Sequence, residues 1–128
     1  MATPFTPADY QSVSPYLIVE DPDNLAAFLA TVFGTTPLHR MLRPDGSVMH
    51  LEVRLDDSVV MIGGSTEGYP PDPCHVHFYV SDATTVYEAG LAAGGMDVRR
   101  PVQREPDDDL RAGFAYPSNV TWWIGTQL

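Results

Sequence analysis

Two stretches of the chain settle its architecture when set side by side: residues 12–21, SVSPYLIVED, and residues 74–82, CHVHFYVSD. Each is a short strand-like run that ends on an aspartate placed to cap a following helix. Adding 61 to the residue number carries Val19 to Val80, Asp21 to Asp82 and Gly34 to Gly95, while adding 62 carries residues 58–63, SVVMIG, onto residues 120–125, VTWWIG. A tandem duplication with one inserted residue accounts for both offsets.

Working outward from the first copy, Asp21 is the N-cap and Pro22 suits the first helical turn. Leu25, Phe28, Leu29 and Val32 follow at helical spacing, and Gly34 supplies the left-handed stop. Residues 38–42, 47–55 and 58–62 then read as three strands, separated by the turn chemistry of Pro44-Asp45-Gly46 and Asp56-Asp57. Residues 64–73, GSTEGYPPDP, lack periodicity and read as a linker. The second copy repeats the order. Val86, Tyr87, Gly90 and Leu91 share a helix face, Gly94-Gly95 ends it, and residues 96–103, 110–116 and 120–126 are strands. The expectation is an α+β chain, one domain over residues 1–128, built from two βαβββ modules at 12–63 and 74–125.

Alternation within the strands assigns their faces. Met49, Leu51, Val53 and Leu55 form an apolar face opposite His50, Glu52 and Arg54. Val76, Phe78 and Val80 likewise alternate with His75, His77 and Tyr79, and Leu17 and Val19 with Ser14, Tyr16 and Ile18. Packing the apolar faces on the two helices leaves the other faces to line a concavity. Solvated sheet faces ordinarily carry Lys, Glu, Thr and Ser rather than histidines and aromatic rings, which favours a lined pocket over a merely wet surface.

Composition narrows the function. The 128 residues suit one domain. Seventeen acidic against seven basic side chains give a net charge of −10, which opposes binding to nucleic acid and to anionic membrane surfaces and favours cationic or neutral partners. All seven basic residues are arginine, so Schiff-base chemistry, a P-loop lysine and a lysine general base are excluded. The lone Cys74 forms no internal disulfide, and the opening residues have neither the basic nor the apolar region of a signal peptide, so a cytoplasmic, membrane-free location is expected.

With its paired modules, its opening SVSPYLIVED, its LDDSVVMIGG segment and its ending YPSNVTWWIGT, the chain resembles the vicinal oxygen chelate superfamily, which includes glyoxalase I, bleomycin-resistance proteins and extradiol dioxygenases. In style it is closest to the PhnB-like branch, although the Asp and Gly of that branch's Asp-Pro-x-Gly-Asn-x-Trp-Trp ending are missing here. The resemblance implies a cup-shaped mixed sheet, a homodimer and a small-molecule ligand. It also implies metal ligands from the first and last strand of each module, at places filled here by Ser14, Met61, His75 and Trp123. Only His75 is a competent ligand, so no metal cofactor is expected. A divalent site drawn instead from His50, Glu52, His75 and His77 stays open as an alternative.

Two classes of function follow. One is a metal-free binder of an aromatic or cationic compound, with Tyr16, His50, Glu52, His75, His77, Tyr79 and Trp123 as ligand contacts and Trp122 and Tyr69 as further stacking candidates. The other is an enzyme, whether a metal-dependent lyase or dioxygenase or a cofactor-free isomerase, in which His77 or Glu52 moves a proton. A domain that only dimerises is the third and plainest reading. Cys74 points away from His75 and is read as inert, His39 and Arg40 as surface residues, and residues 105–109, EPDDD, as a solvated mobile loop.

Overall fold

A computed structural model describes residues 5–104 and 109–128. The first module runs β1 (Tyr16–Val19), α1 (Pro22–Phe33), β2 (Thr36–Leu42), β3 (Val48–Leu55) and β4 (Ser58–Gly64). The second repeats it as β5 (Cys74–Tyr79), α2 (Ala83–Ala92), β6 (Met96–Gln103), β7 (Asp109–Ala115) and β8 (Val120–Gln127). Each module closes one open four-stranded sheet, ordered β1-β4-β3-β2 and β5-β8-β7-β6, in which the first strand lies parallel to the last. The α+β architecture of two βαβββ modules is therefore the observed one. The duplication also holds at the level of register: Tyr16 pairs with Met61, and His77, 61 residues further on, pairs with Trp123, 62 residues beyond Met61.

The caps explain where the helices start. Asp21 accepts the Asn24 N–H at 3.1 Å with Pro22 at the first turn, and Asp82 accepts the Thr85 N–H at 3.2 Å. Gly34 ends α1 in the left-handed region at φ 68°. The pairing of Gly34 with Gly95 is corrected: Gly94 carries the positive φ, 109°, while a Cβ on Gly95 would sit 2.7 Å from the Gly90 carbonyl oxygen. One glycine allows the turn and the next allows close approach to the end of α2.

Three further expectations change. The run 12–19 is shortened to β1, since Pro15 has no N–H to give a ladder. Met49 is not on the apolar face, because Met41 pairs with His50 and Leu42 with Val48; Met49 is the extra residue of a bulge and is exposed, while Val48 packs inward. Of the acidic run, Glu105 to Asp108 lie outside the described residues, and Asp109 opens β7 as a buried side chain.

A single core joins the modules. Leu17, Val19, Leu51 and Val53 of the first sheet and Ala112, Phe114, Trp122 and Ile124 of the second belong to one apolar cluster with Leu25, Phe28 and Leu29 of α1. Phe33 at the end of α1 reaches Phe78, Phe114 and Trp122 of the second sheet at ring distances of 5.0, 6.2 and 5.8 Å. Both sheets thus turn their apolar faces to the same core. A cleft of about 400 Å³ between the modules is lined by Gln11, Val13 and Pro15 of the first and by His77 and Tyr79 of the second.

Candidate functional site

The first polar face carries a chain of hydrogen bonds. Residues before β1 lie across the sheet: Tyr10 donates to Glu52, and Gln11 pairs with both backbone groups of Val59. Glu52 also meets His50 Nε2 at 2.7 Å, and His50 Nδ1 lies 3.2 Å from the Tyr16 hydroxyl. Burial pushes the Glu52 carboxyl up, but hydrogen bonds from Tyr10 and His50 outweigh it and hold the group below the usual carboxylate range. A carboxylate there accepts from His50 Nε2, which leaves Nδ1 to accept from Tyr16. Beside this chain is a cleft of about 610 Å³ lined by Phe5, Tyr10, Ser14, His39, Glu52 and Met61.

The second polar face has different chemistry. Trp123 Nε1 donates to His75 Nδ1 at 3.0 Å with the rings 15° apart, and the Arg99 guanidinium lies 5.6 Å from the indole centroid. Arg111 donates to His77 Nε2 at 3.0 Å and to Asp109 at 2.8 Å, and Asp109 accepts from Tyr79 at 2.8 Å. Desolvation and then the Arg111 charge hold His77 below the ordinary histidine value, against a smaller opposing pull from Asp109. Since guanidinium only donates, the neutral ring keeps its proton on Nδ1.

Glycines make room for these rings. A Cβ on Gly63 would lie 2.9 Å from Tyr16, one on Gly125 would lie 3.3 Å from His77, and one on Gly113 would lie 2.8 Å from the Trp123 ring. Gly63 and Gly125 are 62 residues apart, as are their strands, so the duplicated sequence held the signal for this feature. Tyr10, Arg99, Arg111 and Asp109 are partners that pattern reading passed over, because each comes from a different segment from the residue it orients.

His50, Glu52 and Tyr16 are together on one face, and His75, His77, Tyr79 and Trp123 on the other. His50 and Glu52 bond to each other and to Tyr16 and Tyr10, whereas His75 and His77 bond to Trp123 and Arg111. Among the described residues no group of three or more His, Cys, Asp or Glu side chains is placed to hold a metal ion. The four family ligand places do not fit one either: Ser14 and Met61 sit on the first face, and the indole N–H of Trp123 occupies one ring nitrogen of His75 on the second. Trp122 is corrected from stacking candidate to core, being fully buried with its N–H on the Tyr116 carbonyl at 2.9 Å. Tyr69 is exposed in the segment between the modules. Cys74 packs half-buried against the core, and burial pushes its thiol up. Arg40 pairs in bidentate fashion with Asp23 on the outer surface. A cleft of about 990 Å³ opens between the end of α1 and β5 and meets the second sheet at Tyr79 and Gln127. Volume and chemistry thus part company, and the hydrogen-bonded clusters mark the candidate sites.

No protein-family model matches the chain. Over 94 residues, 65% of this chain, it is 28% identical to an uncharacterized protein of Mycobacterium bovis, and it spans 62% of that relative's length. An uncharacterized Mycobacterium tuberculosis protein matches at the same identity, with 55% of its length spanned. Among solved structures, TioX from Micromonospora sp. ML1 superposes with a TM-score of 0.76 at 22% identity, covering 92% of this chain and 99% of TioX. The fosfomycin resistance protein FosX from Listeria monocytogenes gives 0.72 at 14% identity, with 92% and 93% covered. A glyoxalase/bleomycin resistance protein/dioxygenase family enzyme from Burkholderia phytofirmans PsJN gives 0.69 at 16%, with 88% and 95% covered. No helix among the described residues is long and apolar enough to cross a membrane. By its module order, sheet topology and these superpositions, the chain has the glyoxalase/bleomycin resistance fold.

Proposed function

We propose that the protein binds a planar aromatic small molecule on the polar face of its second sheet, without a metal, as a cytoplasmic homodimer of the PhnB-like type. The observation that carries this reading is Trp123. Unlike the buried Trp122 beside it, its indole stands on the outward face, pinned by His75 and given space by Gly113. A pinned ring loses little freedom on stacking, so more of the contact energy appears as affinity. Arg99 already lies over the indole, which favours a planar ligand that slides between them over a cation that must displace it. The drug-resistance names of the structural neighbours support a small-molecule ligand. A second copy laid against this face would turn an open platform into an enclosed pocket.

A thermal-shift screen of planar aromatic compounds tests the reading, with the oligomeric state measured by light scattering. Stacking on one aromatic is worth about 0.5–1.5 kcal/mol beyond buried area. Truncation of Trp123 to alanine is expected to weaken a hit by about tenfold or more. Equal stabilisation of wild type and Trp123→Ala would overturn it.

A further inference from the structure

We propose that Tyr16, His50 and Glu52 form a proton relay that activates the Tyr16 hydroxyl for attack on an electrophilic acyl carbon. The site is on the first sheet and is independent of the binding face on the second. Three observations place it there. The hydrogen bonds are continuous and correctly ordered, from Tyr16 Oη to His50 Nδ1 at 3.2 Å and from His50 Nε2 to Glu52 at 2.7 Å. This is the arrangement of a hydroxyl, a base and a carboxylate that orients the base. The Tyr16 ring is then fixed by its surroundings, lying over Gly63 with its centroid 5.4 Å from that of His50. Finally, the relay is graded in exposure as such a device requires: Glu52 is 8% exposed and Tyr16 is 52% exposed. Tyr16 is the end offered to solvent, and the 610 Å³ cleft meets the relay at Glu52.

A purely structural network would need only to satisfy the buried carboxylate, and Tyr10 with His50 already does so. Tyr16 adds nothing to that task. The other ionisable groups facing the relay are His39 across from Glu52 on β2, Tyr10 from the segment before β1, and Arg54 further along β3. In the reaction, Tyr16 Oη bonds to the acyl carbon as its proton passes to His50 Nδ1. The bond from the acyl carbon to the leaving group breaks, and the leaving group departs with its electron pair and takes up that proton. Glu52 stabilises the transient imidazolium, so His50 is the base and Glu52 its positioning group.

N-acetylimidazole is the probe, because its acetyl carbon is electrophilic and it acetylates ordinary exposed phenols slowly. Time-resolved peptide mass spectrometry reads acetylation at Tyr16 against Tyr69, which is 72% exposed and serves as an internal control. Tyr16 is expected to react at least about tenfold faster than Tyr69. Its rate, unlike that of Tyr69, is expected to slow in deuterium oxide. His50→Gln and Glu52→Gln should each bring it to the Tyr69 rate with the fold intact by circular dichroism. Should either variant fail to fold, the wild-type rate ratio and isotope effect still decide. A Tyr16 rate equal to that of Tyr69 in wild type, or one unchanged in folded His50→Gln, overturns the relay.

Discussion

Trp123 Nε1 donates to Nδ1 of His75 across 3.0 Å, and the two ring planes are within 15° of parallel. An indole can only donate, so His75 accepts on Nδ1 and presents Nε2–H outward. Removing the imidazole with His75→Ala should unpin the indole while costing only about 0.5–1.5 kcal/mol of stability, the net worth of one hydrogen bond. Acrylamide quenching reads this directly, because Trp122 is buried and silent. Quenching should rise with a small change in Tm; unchanged quenching would mean that Trp123 is held by packing alone.

Gly113 offers a way to move the same ring without touching its partner. An alanine Cβ there would lie 2.8 Å from Trp123 Cε3, and a ring that is partly exposed can yield. Gly113→Ala is expected to keep its stability within about 1 kcal/mol of wild type and to abolish stabilisation by planar ligands. A thermal-shift response equal to that of wild type would show that the ligand does not rest on this ring.

Gly90 is the contrasting case. Its Cβ would lie 2.7 Å from Phe114, which is fully buried and has nowhere to go. Alanine in a helix is worth about 0.5–1 kcal/mol over glycine, but overpacking a filled core costs about 1–3 kcal/mol. Overpacking outweighs the gain in helix propensity, so chemical denaturation of Gly90→Ala should show a net loss. A gain would show that α2 can shift on the second sheet.

Glu52 sets an acid sensitivity. Its folded-state pKa is lowered, despite burial, by Tyr10 and His50, so the unfolded chain binds the proton more tightly. The stability it contributes is whole above the ordinary carboxylate pKa and fades as pH falls through the lowered value. The Tm gap between wild type and Glu52→Gln should therefore be widest near neutrality and shrink in acid. A constant gap would place the effect in packing.

For His77, desolvation and the neighbouring Arg111 lower the pKa from 6.5, and Asp109 opposes them. Removing the guanidinium in Arg111→Met should raise the value seen by titrating the ring proton resonances. The His77 contribution to stability falls as pH drops below the ordinary histidine value, because protonation sets a cation against Arg111. A pKa that does not move in Arg111→Met would leave desolvation as the whole cause.

The fold was legible because duplication wrote its landmarks twice. Asp21 with Asp82, and the paired segments 58–63 and 120–125, mark the modules without any knowledge of packing. Strand alternation likewise placed Leu17, Leu51 and Val53 in the core. Bulges and caps were harder, since the outward turn of Met49 depends on how β2 pairs with β3, and the division of labour between Gly94 and Gly95 depends on the carbonyl of Gly90. The composition of the two faces could be read, but not the contacts that join the modules. Those include Phe28 and Phe33, whose rings carry α1 from its own sheet to the other. No periodicity within one module announces a contact made with the next.

A core shared by both sheets has an evolutionary corollary. The buried halves of the two modules constrain one another, so a change in Phe33 must be answered in Phe78 or Trp122. Their outer faces share no such obligation. One has acquired hydroxyls, an imidazole and a carboxylate, and the other an indole and arginines, from a common ancestral strand plan. In this chain, inheritance is kept in the interior and chemical experiment is delegated to the polar faces of the strands.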